Sequence, residues 1–412
     1  MVTLHTNSAR LQERLQTMAE FGALPNGGCN RQALTAEDAA GRDCFVRWCQ
    51  ELGGEPRRDS MGNLFVRFEG REPGCLPLLL GSHLDTQPTG GRYDGVYGVL
   101  AALEVVQTLQ EAGHRLRRTV ELAVWTNEEG ARFAPAMMGS GVFAGVFEQA
   151  SLYQHCDRDG ISLLEALHHS GQLGTTPCLP FAFHAALELH IEQGPVLERC
   201  GLPIGVVSGV QGMQWYEVTI SGQSVHAGPT PMAMRTDPVQ VLMSLLTELY
   251  ALVADAGEDA RLTIGSISTS THATNTVPAQ VRFTLDVRHP SQEVLERLCA
   301  GIEARCSLKQ GVLQIVIRSL WRSPAVAFDA NCQAAIRQAC DTLGLAQRTL
   351  VSGAGHDSVY LARLGPTGMI FIPCRDGLSH NEQEYATPQQ LQQGADVLLH
   401  TLLTLDQEGH LS

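Results

Sequence analysis

The sequence of residues 76–86 is LPLLLGSHLDT, in which an apolar run leads directly into a polar segment. The apolar part, Leu76–Leu80, predicts a buried strand, because strands covered by helices on both faces are almost continuously apolar. Gly98–Leu109 follows with apolar side chains every three or four positions, a pattern typical of an amphipathic helix. Val120–Thr126 predicts a second strand. This strand–helix–strand order predicts an α/β fold with a mainly parallel sheet covered by helices.

A different order of elements begins at about residue 211. The pattern predicts β-α-β-β-α-β, the ferredoxin-like arrangement, with elements at Tyr216–Ser221, 238–254, Leu262–Ser268, Val281–Val287, Val294–Cys306 and Val312–Ser319. After Pro324 the alternation of helix and strand resumes, and Met369–Ile372 is the last predicted strand. We therefore predict one α/β domain, residues 1–210 and 324–412, interrupted by an inserted α+β domain, residues 211–323.

The composition limits the classes of protein to which the chain can belong. Its 412 residues are 44% hydrophobic and 17% charged, which is ordinary for a globular protein of two or three domains. The net charge of −14 disfavours nucleic acid and membranes as partners, because anionic surfaces would repel the protein. Apolar stretches are shorter than ten residues, and the N-terminal segment lacks the layout of an export signal. We expect a cytoplasmic protein.

Cysteine and lysine usage excludes several enzyme classes. The twelve cysteines include no C-x-x-C pair, so we expect reduced, mostly buried thiols rather than a disulfide framework or a structural zinc site. Lys309 is the one lysine among 29 basic residues, which excludes a P-loop and disfavours Schiff-base chemistry. The chain also has no G-x-S-x-G or G-x-G-x-x-G fingerprint.

Five polar clusters stand out, and four of them come just after a predicted strand or in the loop beyond it. They are His83 with Asp85, Asp94, Glu128 with Glu129, His190, and His380. Ligands of open α/β sheets bind outside the carboxyl ends of the strands, so we expect these clusters to converge. Imidazoles and carboxylates together suit Zn²⁺, Mn²⁺ or similar cations. With this many ligands two cations are easier to explain than one, and a carboxylate such as Asp94 could hold both, in an arrangement that activates water.

Seven motifs carry a resemblance to a known superfamily. They are GSHLDT, GGRYDGVYGVLAALEVV, TNEEGARF, LELHIEQGPVLE, VHAGPTPM, GAGHDS and GLSHNEQE. Their order resembles that of the dinuclear-metal peptidase and amidase superfamily, and is most similar to its hydantoinase/carbamoylase branch. That branch contains N-carbamoyl-L-amino acid hydrolases, β-ureidopropionases and allantoate amidohydrolases. The resemblance covers about residues 10–405, and it implies a metal-dependent hydrolase domain, an inserted lid or dimerisation domain, and a homodimer.

The resemblance also implies roles for individual residues. His83 and His190 would bind one metal ion, Glu129 and His380 the other, and Asp94 would bridge them. Glu128 would be the general base. Both ions are expected to be Zn²⁺, with Mn, Co or Ni as alternatives. Asp85 is either a simple turn residue or an outer acceptor that orients the imidazole of His83.

A second set of residues would contact the substrate. His226 resembles the residue that stabilises the transition state, and Asn275 and Arg288 resemble residues that hold the substrate carboxylate. Arginine suits this task, because its guanidinium offers a bidentate fork to an anion. Gln193 and the backbone of Gly353–Gly355 would contact the ureido end. His356 and Asp357 are either outer residues of the metal site or structural.

The predicted function is therefore hydrolysis of the ureido C–N bond of an N-carbamoyl amino acid, either an N-carbamoyl-L-amino acid or N-carbamoyl-β-alanine. Allantoate or another ureido acid is the alternative substrate, and the stretch GVQGMQWYEV resembles the carbamoylases more. A dinuclear metallopeptidase or deacylase is a further alternative. His190 argues against it, because peptidase relatives often have a carboxylate there. A metal-dependent binding or scaffold protein is the non-enzymatic alternative.

Overall fold

The computed structural model describes residues 3–310 and 312–407, and the side chains of residues 308–310 lie outside the described part. Its helices are α1 Ser8–Glu20, α2 Ala36–Glu51, α3 Val96–Glu111, α4 Met138–Phe143, α5 Gln149–Leu152, α6 Leu163–His169, α7 Val196–Cys200, α8 Pro238–Asp255, α9 Gln292–Arg305, α10 Ala330–Leu343, α11 Ser358–Leu361 and α12 Pro388–Gln407. Its strands are β1 Glu55–Arg58, β2 Leu64–Phe68, β3 Leu78–His83, β4 Val120–Trp125, β5 Ala185–Ile191, β6 Ile204–Val210, β7 Gly212–Ser221, β8 Val225–His226, β9 Arg261–Thr269, β10 Thr276–Val277, β11 Gln280–His289, β12 Leu308–Gln310, β13 Leu313–Ser323, β14 Val326–Ala327, β15 Gln347–Ser352 and β16 Thr367–Ile372.

The chain divides into two compact units. The first unit consists of Met1–Ser208 and Ala327–Ser412, and the second is Gly209–Val326. The boundaries predicted from the sequence were residues 211 and 323.

The first unit is built on a mixed sheet with the strand order β1-β2-β4-β3-β5-β16-β6-β14, and β15 pairs with β6. The four central strands β4, β3, β5 and β16 are parallel. The pairs β1–β2, β2–β4 and β16–β6 are antiparallel. The predicted parallel sheet is therefore present at the centre, and antiparallel pairs flank it on both sides.

Helices cover both faces of this sheet. One face packs against α1, α2, α3, α10 and α12 in a single apolar core. The other face packs against α4 and α6 in a second core that contains Phe65, Trp125 and Phe143. The central strands are buried on both sides and are mostly apolar, and the buried Glu188 in the middle of β5 accepts hydrogen bonds from Ser82 and Ser358.

The second unit has the element order β7-α8-β9-β11-α9-β13 and an antiparallel sheet in the order β12-β13-β7-β11-β9. Helices α8 and α9 pack against one face of this sheet through a core that includes Leu249, Phe283 and Ile302. Among the described residues, α8 is the one helix long and apolar enough to cross a membrane, but only 28% of it is buried. Polar residues such as Gln240, Ser244 and Glu248 interrupt its apolar residues, so no long uninterrupted apolar run is present in this helix.

Candidate metal centre

The carboxyl ends of the four central strands carry the polar clusters. His83 is the last residue of β3, and His190 lies within β5. Glu128 and Glu129 follow β4, and His380 lies in the loop after β16. The prediction placed His190 just beyond its strand, whereas the structure extends β5 to Ile191, because this strand is paired along its length with β16. Parallel strands end at one edge of the sheet, so residues far apart in sequence meet there.

His83, Asp94 and His190 form one group of potential metal ligands. Nε2 of His190 lies 3.1 Å from Oδ1 of Asp94, and Nε2 of His83 lies 3.5 Å from the same oxygen. All three side chains are buried. Burial alone would raise the pKa of Asp94, but hydrogen bonds from the protonated forms of His190 and His83 hold that pKa well below its usual range.

Asp94, Glu129 and His380 form a second group. Nε2 of His380 lies 3.1 Å from Oε2 of Glu129 and 3.6 Å from Oδ2 of Asp94. The two oxygens of one carboxylate therefore face different groups, Oδ1 towards His83 and His190 and Oδ2 towards His380. Asp94 is therefore common to both groups of potential ligands.

The imidazoles of the first group are oriented by backbone carbonyls. Nδ1 of His83 donates to the carbonyl of Asp85 at 2.9 Å, and Nδ1 of His190 donates to the carbonyl of Ile191 at 2.9 Å. The N–H of Gly95 donates to Nε2 of His190 at 3.0 Å, so in the neutral ring this nitrogen carries the lone pair. Each ring therefore turns Nε2 towards Asp94, as an imidazole must to bind a metal through that atom.

Because Gly95 has no side chain, its backbone can lie close to the ring of His83. A Cβ built at Gly95 would lie 2.3 Å from Nε2 of His83, and the backbone has a φ of +67°. Both the contact and the left-handed conformation exclude other residues.

The carboxylate of Asp85 does not orient His83. It lies 3.9 Å from Nδ1 of that ring, because the backbone carbonyl of Asp85 takes the hydrogen bond instead. Its two oxygens accept the N–H groups of Glu128 at 3.3 Å and Glu129 at 3.2 Å. Asp85 therefore fixes the backbone from which the two glutamates project, and burial raises its pKa to about 6.

Glu128 is buried beside the first group. Its Oε2 lies 3.5 Å from Nε2 of His83, whereas its neighbour Glu129 faces His380. Burial raises the pKa of Glu128 well above its usual value. The adjacent glutamates thus face different groups, with Glu129 beside His380 and Asp94 and Glu128 beside His83.

Gln193 and Ser379 contact Asp94 directly. Nε2 of Gln193 donates to Oδ2 of Asp94 at 2.7 Å, and Oγ of Ser379 donates to the same oxygen at 2.5 Å. Gln193 has a left-handed backbone, with a φ of 57°. Its Oε1 is buried and has no hydrogen-bond partner in the described part of the chain. A buried acceptor without a donor is costly, so this oxygen is suited to a ligand N–H.

The GAGHDS segment lies behind His190. The loop that contains Gly353 and Gly355 joins β15 to α11 and leads into His356. The ring of His356 packs edge-on against that of His190, with 4.7 Å between the ring centroids. Burial lowers the pKa of His356 well below its usual value. Asp357 accepts a hydrogen bond from Ser140. His356 packs against His190 and, with Glu188 and His190, forms a further group of potential metal ligands.

The second unit brings two of its predicted residues together. Strands β8 and β10 form a two-stranded ribbon in which Thr276 is opposite His226, and the N–H of Ala227 donates to the carbonyl of Asn275 at 2.9 Å. His226 and Asn275 are both exposed. Nδ1 of His226 accepts the N–H of Gly228 at 3.1 Å, which leaves the proton of a neutral ring on Nε2.

Arg288 lies on β11, in the larger sheet of the same unit. Asp286, two residues earlier, accepts from its Nη2 at 2.7 Å and from its Nε at 2.9 Å. This forked pair fixes the orientation of the guanidinium on the face of the sheet opposite α8 and α9.

Three residues that contact this centre were not predicted from the sequence. Ser379 contacts Asp94, Gln87 donates to Oε2 of Glu129 at 2.9 Å, and Glu384 accepts backbone N–H groups next to Asp94. Ser379 and Glu384 belong to the motif GLSHNEQE, in which only His380 was selected. A serine or glutamate beside a ligand is a weak signal, because both residue types are common in surface loops.

Comparison with known proteins identifies the family. Residues 79–404 match the profile of peptidase family M20/M25/M40. The chain belongs to this family. An N-carbamoyl-L-amino-acid amidohydrolase from Rhizobium meliloti is 41% identical to this M20-family chain over 399 residues, which are 96% of each protein. An allantoate amidohydrolase from Bacillus subtilis is 34% identical over 402 residues, 96% of this chain and 97% of the relative.

A solved relative shows the same fold. The crystal structure of an amidase of the hydantoinase/carbamoylase family from Burkholderia multivorans has a TM-score of 0.92 and 43% identity, covering 99% of this M20-family chain and 100% of that one. These similarities confirm the resemblance inferred from the seven motifs and the mixed α/β fold. The protein is a metal-dependent amidohydrolase that acts on C–N bonds.

Proposed function

We propose that this enzyme cleaves the ureido C–N bond of N-carbamoyl amino acids and releases the amino acid, ammonia and carbon dioxide. The observation that carries the proposal is the pair of ligand groups that share Asp94, in a chain 41% identical to an N-carbamoyl-L-amino-acid amidohydrolase. The buried, unpartnered Oε1 of Gln193 supports a ureido substrate, because the terminal NH₂ of a ureido group can donate to it.

The residues present fit two divalent metal ions. His83 and His190 would hold one ion, Glu129 and His380 the other, and Asp94 both; imidazole and carboxylate donors suit Zn²⁺, and also Mn, Co or Ni. The fit rests on the orientation of Nε2 in His83 and His190 and on the two sides of the Asp94 carboxylate. When bound, such ions supply Lewis acidity, which lowers the pKa of water and polarises the substrate carbonyl.

Glu128 would move the proton. A water molecule attacks the ureido carbon, and the Glu128 carboxylate takes its proton and passes it to the nitrogen of the departing amino acid. The C–N bond then breaks, and the carbamic acid released decomposes to ammonia and carbon dioxide.

The other predicted residues would bind and orient the substrate. Gln193 accepts from the ureido NH₂, and backbone groups of Gly353 and Gly355 contact the same end. His226 donates through Nε2–H to the oxygen that becomes negative in the transition state, a role supported by the hydrogen bond to its Nδ1. Asn275 and Arg288 hold the carboxylate. We further propose that the second unit acts as a lid that brings these residues to the substrate.

Arg288→Ala should raise KM roughly 10–100-fold with little change in kcat, because a charge-assisted contact to the substrate carboxylate is lost. Steady-state kinetics on an N-carbamoyl amino acid tests this expectation. Arg282→Ala is the matched control, since Arg282 is exposed on the same strand and its nearest carboxylate, that of Glu217, lies 3.9 Å away. A fall in kcat at unchanged KM would show instead that Arg288 assembles the reactive site.

The homodimer is proposed to form through the outer surface of α8. Met243 and Tyr250 lie two turns apart on this helix and are 62% and 50% exposed. Ile267, 54% exposed, lies on the sheet-edge strand β9 opposite Phe283, and therefore points to the helical side. A second copy of the chain would cover this apolar surface and the strand edge.

Replacing both Met243 and Tyr250 by Arg should convert a dimer to a monomer, because two charges would be buried in the interface. Light scattering after size exclusion measures the mass. Leu179→Arg is the control, as Leu179 is 67% exposed in the first unit and lies outside this surface. A double variant that remains dimeric would place the interface elsewhere.

The state of the cysteines bears on the cellular location. Eight of the twelve cysteines are buried, which suits a reducing compartment, and we propose a cytoplasmic protein without nucleic-acid or membrane partners.

Allantoate is the second candidate substrate, because the Bacillus subtilis relative is named for it.

Release of ammonia from a substrate panel tests the proposed function. The panel contains several N-carbamoyl-L-amino acids, N-carbamoyl-β-alanine, allantoate and a dipeptide, each with chelator and with added Zn²⁺ or Mn²⁺. We expect metal-dependent turnover of a carbamoyl acid. Turnover of allantoate alone would establish the second candidate, and cleavage of the dipeptide alone would overturn both.

A further inference from the structure

Glu384 is a buried carboxylate that contacts the backbone around Asp94. It lies four residues after His380 and is 5% exposed. Its Oε1 accepts the N–H of Tyr93 at 2.8 Å and the N–H of Asp94 at 3.1 Å. One oxygen therefore fixes two consecutive peptide groups, the second of which belongs to the residue shared by both ligand groups.

The loop before Asp94 is shaped to receive this carboxylate. A Cβ built at Gly91 would lie 2.1 Å from both Cδ and Oε1 of Glu384. Glycine is needed at this position because of the close approach, since Gly91 does not have a positive φ. The glycine and the glutamate are thus complementary parts of one contact.

This contact joins the segments that carry two of the ligands. The segment 379–384 supplies Ser379, which donates to Oδ2 of Asp94, and His380, which faces the same oxygen. Glu384 anchors the other end of that segment to the backbone of Asp94. The side chain and the main chain of Asp94 are both held by one loop, so its carboxylate has a fixed direction relative to His380.

We propose that Glu384 is a positioning residue for the metal centre, which sets the position of Asp94 by accepting its backbone N–H and that of Tyr93. The inference rests on the metal site of the proposed function and not on the ureido substrate. Outer hydrogen-bond partners of ligands typically change metal affinity by about 10–100-fold, so an effect of this size is expected although Glu384 is not assigned as a ligand.

The test measures metal affinity in the full-length protein, without substrate. Zn²⁺ affinity of the metal-free enzyme is determined by competition with a chromophoric chelator, and the visible spectrum of the Co²⁺-loaded enzyme reports the geometry of the ligands. Glu384→Ala should weaken Zn²⁺ binding by about 10–100-fold and alter the Co²⁺ spectrum. Glu384→Gln keeps an accepting oxygen and should restore most of the affinity. Glu382→Ala, two residues away, should behave as the wild type.

Two outcomes would overturn the proposal. One is wild-type Zn²⁺ affinity and an unchanged Co²⁺ spectrum in Glu384→Ala. The other is an equal loss in the Ala and Gln variants, which would assign the effect to charge. If Glu384→Ala does not fold, Gly91→Ala displaces the carboxylate while retaining it and should also weaken Zn²⁺ binding; unchanged binding there contradicts the proposal. Because no substrate is used, inactivity on ureido acids would contradict the proposed function alone.

Discussion

Glu128→Gln should retain both metal ions and the fold but lower kcat roughly 10²–10⁴-fold, the usual contribution of a general base. The amide is nearly identical in shape to the carboxylate, so Asp85 can still hold the backbone N–H of residue 128. What the variant loses is the ability to accept a proton from water. Ammonia release under saturating substrate, with metal content measured on the same sample, separates the loss of chemistry from the loss of metal.

The adjacent residue provides the contrast for this experiment. Glu129 contacts His380 at 3.1 Å and is a proposed ligand, so Glu129→Gln should lose metal as well as activity. Near-normal kcat in Glu128→Gln would refute its role as the base. Similar metal loss in both variants would show that the two glutamates do not divide their tasks as proposed.

Asp94→Asn should have the largest effect on the metal centre, because this carboxylate is common to both ligand groups. A neutral amide removes the negative charge that would offset the two proposed cations, and it offers one carbonyl oxygen where the proposed bridge uses both oxygens. We expect metal content after dialysis to fall from two ions to less than one per chain, with activity at background. Elemental analysis by mass spectrometry measures the content directly.

Asp159→Asn is a suitable control, since Asp159 is an exposed aspartate of the same unit. The Asp94→Asn variant also tests whether both proposed metal positions depend on Asp94. If Asp94→Asn kept one ion at full occupancy with wild-type affinity, the position with that ion would not depend on Asp94. The bridging assignment would then be wrong.

The sequence predicted the candidate site best at the ends of the central strands, where polar residues follow apolar runs. Apolar runs that stop at His83 and near His190 identified two central strands, and the parallel arrangement then implied that their ends meet. The grouping of the ligands came from family resemblance, because spacing in the sequence does not say which imidazole lies beside which carboxylate. The structure supplies that information through Asp94, whose two oxygens face different histidines.

Contacts between separate loops could not be predicted from the sequence. Asp85 was expected to orient His83 or form a turn, yet its carboxylate binds the peptide groups of the two glutamates, 43 and 44 residues away. The contact of Glu384 with Asp94 spans 290 residues. Such contacts depend on how loops from separate strands pack, and no periodicity in the sequence encodes that packing.

The backbone conformations at the centre have a consequence for engineering the enzyme. Gln193, Asn127 and His380 are three of the six described non-glycine residues with a positive φ, and all three lie in the loops that follow the central strands. Such conformations cost of order 1–3 kcal/mol each and persist only where the surroundings enforce them. The packing around these loops must offset that cost, so substitutions meant to stabilise the enzyme should be sought away from them, where they leave the conformation of the site unchanged.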